Sequence, residues 1–202
     1  MDKSIINYRA IDNPELITVL SSPIRQEIVD TLAALGGSAS TAELALQMGR
    51  HADGLYYHMK ILVTAKLIVE LGEDREDERR YQLAGKPHQA LRLAYRMDSE
   101  HHLTALRRFA RGLLQVAEKD FVEALETPGI VTEGPSRQLW AARNKAWLSR
   151  EELKEVNMLL ERLCELMSRP RTADRDQLLS CAFVLAPHVA LPKRRGEPEA
   201  AS

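Results

Sequence analysis

Apolar positions along the chain fall into two regimes. Through residue 84 they come as short helical sets separated by breakers. Asn13-Pro14 supplies a cap and a first-turn proline for a short helix. Ser22-Pro23 begins a second, with Ile24, Ile28, Leu32 and Leu35 on one face, and Gly36-Gly37 stops it. Ser40-x-x-Glu43 is a capping box, so the two side chains satisfy each other's free amides at the start of a third helix. That helix buries Leu44 and Met48 and ends at Gly49. A fourth helix is expected from about Ala52 to Ala65. At ~100° per residue it splits into an inward face of Leu55, Met59 and Leu62 and an outward face of Asp53, Tyr57, Lys60 and Thr64. Leu67–Leu71 and Arg80–Leu83 then read as strands around the charged loop 72–79.

Beyond residue 85 the pattern lengthens. Pro87 to Glu126 has a single glycine and an apolar series at three- and four-residue steps: Leu106, Phe109, Leu113, Ala117, Phe121 and Ala124. The stretch predicts one long helix whose stripe is too extended for a small domain to cover, and so a dimerisation helix. Leu139–Leu148 reads as extended, and Ser149-x-x-Glu152 opens a helix burying Leu153, Val156, Leu160, Leu163 and Met167. Leu178–Leu185 reads as a buried strand. The expected organisation is a helix-and-hairpin domain at 1–85, a long dimerisation helix at 86–127, an α+β C-terminal region at 128–187 and a flexible tail at 188–202. The fold class is mainly α, within α+β.

Composition narrows the function. With 45% hydrophobic and 28% charged residues, the 202-residue chain is expected to be globular, and it has no apolar run long enough for a membrane span. No secretory signal core follows Met1, and Cys164 and Cys181 are too few and too far apart for a disulfide scaffold or zinc knuckle. A reduced, cytoplasmic protein is expected. The net charge of -1 is unevenly spread, with nine Lys and Arg against thirteen Asp and Glu up to residue 84. Nucleic-acid binding therefore has to rest on a local surface, not on a bulk field. The chain shows none of the Gly-x-Ser-x-Gly, Gly-rich phosphate-loop or His-Glu-x-x-His signatures, so no enzyme is expected and no cofactor.

The order helix, helix, tight turn, amphipathic helix and two strands is that of a winged helix-turn-helix. The stretches Leu20–Leu32 (LSSPIRQEIVDTL), Ser40–Gly49 (STAELALQMG), Ala52–Glu70 (ADGLYYHMKILVTAKLIVE) and Arg79–Leu83 (RRYQL) resemble regulators of the arsenic-repressor (ArsR) type. The resemblance covers residue 13 to about 84. It implies a homodimeric transcription factor, often a repressor, that binds a near-palindromic operator and releases it when an effector binds. The family's thiolate metal site would fall at Ala45 and Gln47, which supply no thiolate, so a non-metal small-molecule effector is expected. His101 and His102 are adjacent, point about 100° apart on a helix, and read as surface polar residues.

On this reading the DNA-contacting set is Ser40, Thr41, His51, Asp53, Gly54, Tyr56, Tyr57, Lys60, Arg75 and Arg79. Tyr57 and Asp53 face base edges, Lys60 faces phosphate or guanine, Ser40 and Thr41 face phosphate, and Arg75 and Arg79 sit at the wing. His58 lies nearer the buried face and reads as a hydrogen-bonded packing residue. Lys66 stands where the family usually has glycine. Trp140, Arg143 and Trp147 are candidates for an effector pocket. The acidic run Glu73–Glu78 opposes phosphate and leaves one alternative: a winged-helix protein-interaction module without specific DNA binding.

Overall fold

The computed structural model describes residues 7–72, 79–85 and 89–188. The chain is a mixed α+β protein, about half helical, with six helices and two small sheets among the described residues. Strand β1 (Asn7–Ile11) leads into α1 (Pro14–Leu20), α2 (Pro23–Ala34), β2 (Ser38–Ser40), α3 (Thr41–Gln47) and α4 (Asp53–Thr64). Strands β3 (Ile68–Leu71), β4 (Arg80–Leu83) and β5 (Gln89–Leu93) follow, then α5 (Glu100–Glu126) and α6 (Arg150–Met167).

Local signals place most of these boundaries. The Asn13 side chain accepts from the Glu15 amide to cap α1, and the Ser40–Glu43 capping box is closed at both ends. Ile17, Ile28, Leu32, Leu44, Leu55, Met59, Leu62 and Ile68 form one buried core with the inner sides of α1 to α4. β4 is the centre of an antiparallel sheet of order β2-β4-β3, in which Tyr81 lies opposite Ala39 on one side and Glu70 on the other. Lys66 joins α4 to β3 at φ 55, the left-handed region, where a side chain is strained.

The predicted helix over Pro87–Glu126 is corrected. Gln89–Leu93 is a strand, paired parallel to β1 from Asn7↔Gln89 to Ile11↔Leu93, and the helix begins at Glu100 with Ser99 as its cap. Leu91 and Leu93 pack beside the core from this strand. His102, read as a surface residue, is also corrected: it is 1% exposed, and its Nε2 is 2.8 Å from the Ala94 carbonyl.

α5 crosses α1 and α2 closely at Gly112. A Cβ there would sit 2.3 Å from the Ser21 carbonyl oxygen and 3.0 Å from Gln26 Nε2. Gln26 is itself buried and donates to the Phe109 carbonyl at 3.3 Å.

The region 128–188 also departs from expectation. It holds α6, opened by the predicted Ser149–Glu152 box, but no strand. Leu139–Leu148 and Leu178–Leu185 form no ladder, and Leu178, Phe183 and Leu185 are exposed instead of buried. No residue of α6 is buried, and Leu153 and Met167 are open to solvent. Apolar patterning along these segments specifies burial, and the single chain does not provide it.

Candidate nucleic-acid interface

The site is built on α4. Leu55, Met59 and Leu62 anchor its inner face completely, so the residues in antiphase with them are pushed outward. Tyr57 is 69% exposed, and Asp53, Gly54 and Lys60 are also exposed. His51 is exposed just before the helix, and Tyr56 is half-buried. A Cβ at Gly54 would meet nothing within 4 Å, so packing does not demand glycine there. An open groove of about 560 Å3 runs between α1 and α4, lined by Leu16, Val19 and Ile61 together with Tyr57 and Lys60.

The residues assigned to phosphate are disposed differently from one another. Ser40 is half-buried, with its hydroxyl accepting from the Glu43 amide at 3.1 Å, and Thr41 is only 3% exposed. Thr41 therefore presents no hydroxyl at the surface. Arg75 lies outside the described residues, as does the rest of the acidic run 73–78. Arg79 Nε pairs with Glu70 Oε1 at 3.2 Å along the hairpin. The neighbouring Arg80 points to the other side of the strand and pairs with Glu43 at 3.1 Å, beside the start of α3. Arg80 is the residue that sequence reasoning passed over. Strand alternation through Arg79-Arg80-Tyr81 was the available signal, since buried Tyr81 fixes which arginine lies on which side.

Two further groups missed in the sequence hold α4 in place. Glu27 on α2 is a nearly buried carboxylate that accepts from Arg50 at 3.0 Å and from Lys119 at 2.7 Å. It thus ties the turn between α3 and α4 to α5. Arg25 donates to the Val19 carbonyl and lies near Tyr57. His58 is half-buried and meets Tyr57 edge-on at 5.4 Å, but its Nδ1 has no hydrogen-bond partner, so the bonded role expected for it is not seen. Loss of solvation, then the positive charge of Arg25 and Arg50, lowers its pKa.

The effector candidates do not converge. Trp140 is covered on one face by the Arg137 guanidinium, 4.0 Å from the ring centroid, not by Arg143. Trp147 is 101% exposed. Among the described residues no cluster of three or more His, Cys, Asp or Glu could hold a metal ion, and no helix is long and apolar enough to cross a membrane.

A buried-anchor helix presenting a polar outer face, preceded by a capped helix and a tight turn, is the arrangement that places side chains in a DNA major groove. A family model for a helix-turn-helix domain matches residues 20–70, from the end of α1 to the middle of β3. The chain thus carries a helix-turn-helix domain, the kind of domain found in DNA-binding transcription regulators. No curated protein matches the chain.

Proposed function

We propose that the protein is a transcription regulator of the arsenic-repressor type, acting as a homodimeric repressor on a near-palindromic operator. The observation that carries the reading is the division of α4, with Leu55, Met59 and Leu62 sealed inside and Tyr57, Lys60, Asp53 and Gly54 outside. On this reading α4 lies in the major groove, where Tyr57 and Asp53 meet base edges and Lys60 meets phosphate. Gly54 lets the backbone approach closely. The β3–β4 hairpin serves as the wing, with Arg79 and Arg80 on its two sides. α5 joins two copies, and a small non-metal effector sets the operator affinity. No enzymatic activity is assigned.

Fluorescence anisotropy on operator and scrambled duplexes over a salt series tests this. Tyr57→Ala is expected to cost about 1–3 kcal/mol on operator and to relax base preference. Lys60→Ala is expected to weaken binding on all sequences and to reduce the salt slope by about one unit. Both side chains point away from the core, so both variants stay folded. Folded variants that bind both duplexes as the wild type does would remove α4 from the interface, and the protein-interaction alternative would replace this reading.

A further inference from the structure

Helix α5 is apolar on two sides. One side holds Ala105, Phe109 and Gly112 against α1 and α2. The other, roughly opposite by helical phase, carries Leu114, Val122 and Leu125, which are 57%, 48% and 62% exposed. A helix with two apolar sides is built to lie between two bodies, and its own domain supplies one of them.

The chain that follows has the complementary problem. Residues 128–188 contain no buried side chain, and α6 carries a wide apolar face including Val156, Leu160 and Leu163. Trp140, Trp147, Met158, Leu159, Leu178 and Val184 are each more than half exposed. With their apolar neighbours they leave on the order of 1,500 Å2 open, against the ~800 Å2 per partner that a stable dimer buries. That total, spread along residues 128–188, exceeds the few hundred Å2 of apolar patch a monomer usually shows.

We infer that residues 128–188 form an exchanged arm, in which α6 of each copy covers the outer face of α5 in a second copy of this chain. Three observations select that occupant. The exposed area is that of a stable dimer. Charge is complementary along the first half of α5: α6 has five Glu against three basic residues, and Arg107, Arg108 and Arg111 are exposed there, Arg107 paired with Glu100, while the four carboxylates near the end of α5 lie beyond this basic stretch. The 23 residues between the two helices also span up to roughly 75 Å when extended, longer than the ~40 Å of α5, so the arm can cross to a neighbour. Two copies related by a twofold axis exchange arms reciprocally, so each outer face is covered once. The inference deepens the homodimer of the proposed function by naming what builds the interface.

The test uses the full chain and needs no DNA. Sedimentation velocity over the micromolar range should show a dimer. Amide exchange should show α6 protected in a concentration-dependent way, while α4 protection stays constant on dilution. Leu160→Asp with Leu163→Asp should raise the dimer dissociation constant about a hundredfold or more. Leu114→Asp, on the receiving face, should weaken the dimer in the same direction. Neither substitution touches the buried core, so α4 protection reports that the domain remains folded. A monomeric wild type overturns the inference, as does a dimer in which α6 exchanges freely or one that ignores both sets of substitutions. A dimer that behaves as described but does not bind DNA supports the arm and refutes the regulator.

Discussion

Gly112→Ala puts the α5 crossing to the test. The added methyl would stand 2.3 Å from the Ser21 carbonyl oxygen and 3.1 Å from its carbon. Ordinary carbon–oxygen contact needs about 1 Å more, so α5 has to retreat from the α1–α2 turn. Overpacking of this kind costs about 1–3 kcal/mol. The retreat also stretches the bond from Gln26 to the Phe109 carbonyl, already 3.3 Å, and its loss adds about 1 kcal/mol because the amide is buried. The better helix propensity of alanine returns about 1 kcal/mol. The net expectation is a destabilisation of about 2 kcal/mol. Urea unfolding at one fixed protein concentration, followed by circular dichroism, measures it, with the concentration held because association shifts apparent stability. Gly54→Ala is the control, since its methyl meets nothing within 4 Å and should leave stability unchanged or slightly raised. A Gly112→Ala protein within about 0.5 kcal/mol of wild type would refute the close crossing.

Lys66→Gly relieves a side chain held at φ 55 and should stabilise the domain by about 0.5–1 kcal/mol, read from the same urea curves; a loss of stability would show that the side chain matters more than the backbone strain. Asp30 supplies a pH test. By surface area the residue is exposed, but the groups crowded around its carboxyl remove solvation there, and this, then the charges of Asp120 and Glu27, pushes it up to about 7. The folded state therefore binds this proton more tightly than the unfolded chain, where the group titrates near 3.8, and its contribution to stability falls as pH rises from about 4 through about 7. Asp30→Asn should gain roughly 1 kcal/mol at about pH 8 and nothing at about pH 4, less than the full shift implies because solvent screens the group. An equal effect at both values would contradict the assignment.

What the sequence made legible was local. The Ser40–Glu43 and Ser149–Glu152 boxes, Pro23 and the Leu55–Met59–Leu62 face each act within one or two helical turns, and the helices start and face as those residues dictate. The β1–β5 pair was invisible because its partners lie some 80 residues apart, and Leu91 and Leu93 alone fit the end of a helical stripe as well as a strand. His102 followed the same error, since its bond to Ala94 exists only once β5 has ended. At the site, Tyr57 and Lys60 were legible from phase alone. The difference between Arg79 and Arg80 depended on strand register, and burial of Thr41 depended on tertiary packing. The C-terminal segments show a third limit, because an apolar face states that something must cover it without stating what.

The double grip on Glu27 has a mechanical meaning. One carboxylate is shared by Arg50, at the threshold of α4, and Lys119, two-thirds of the way along α5, while Gly112 lets α5 close onto the backbone of the α1–α2 turn. This route ties α4 to α5 through α2, as a jaw is bolted to its shaft. In the proposed homodimer, two such bodies joined through their shafts would hold their jaws at one gap, as a caliper locked at a single setting does. The spacing of the DNA half-sites would then be written into the angle of α5, and a signal that opens or closes the gap would have to bend or turn that shaft.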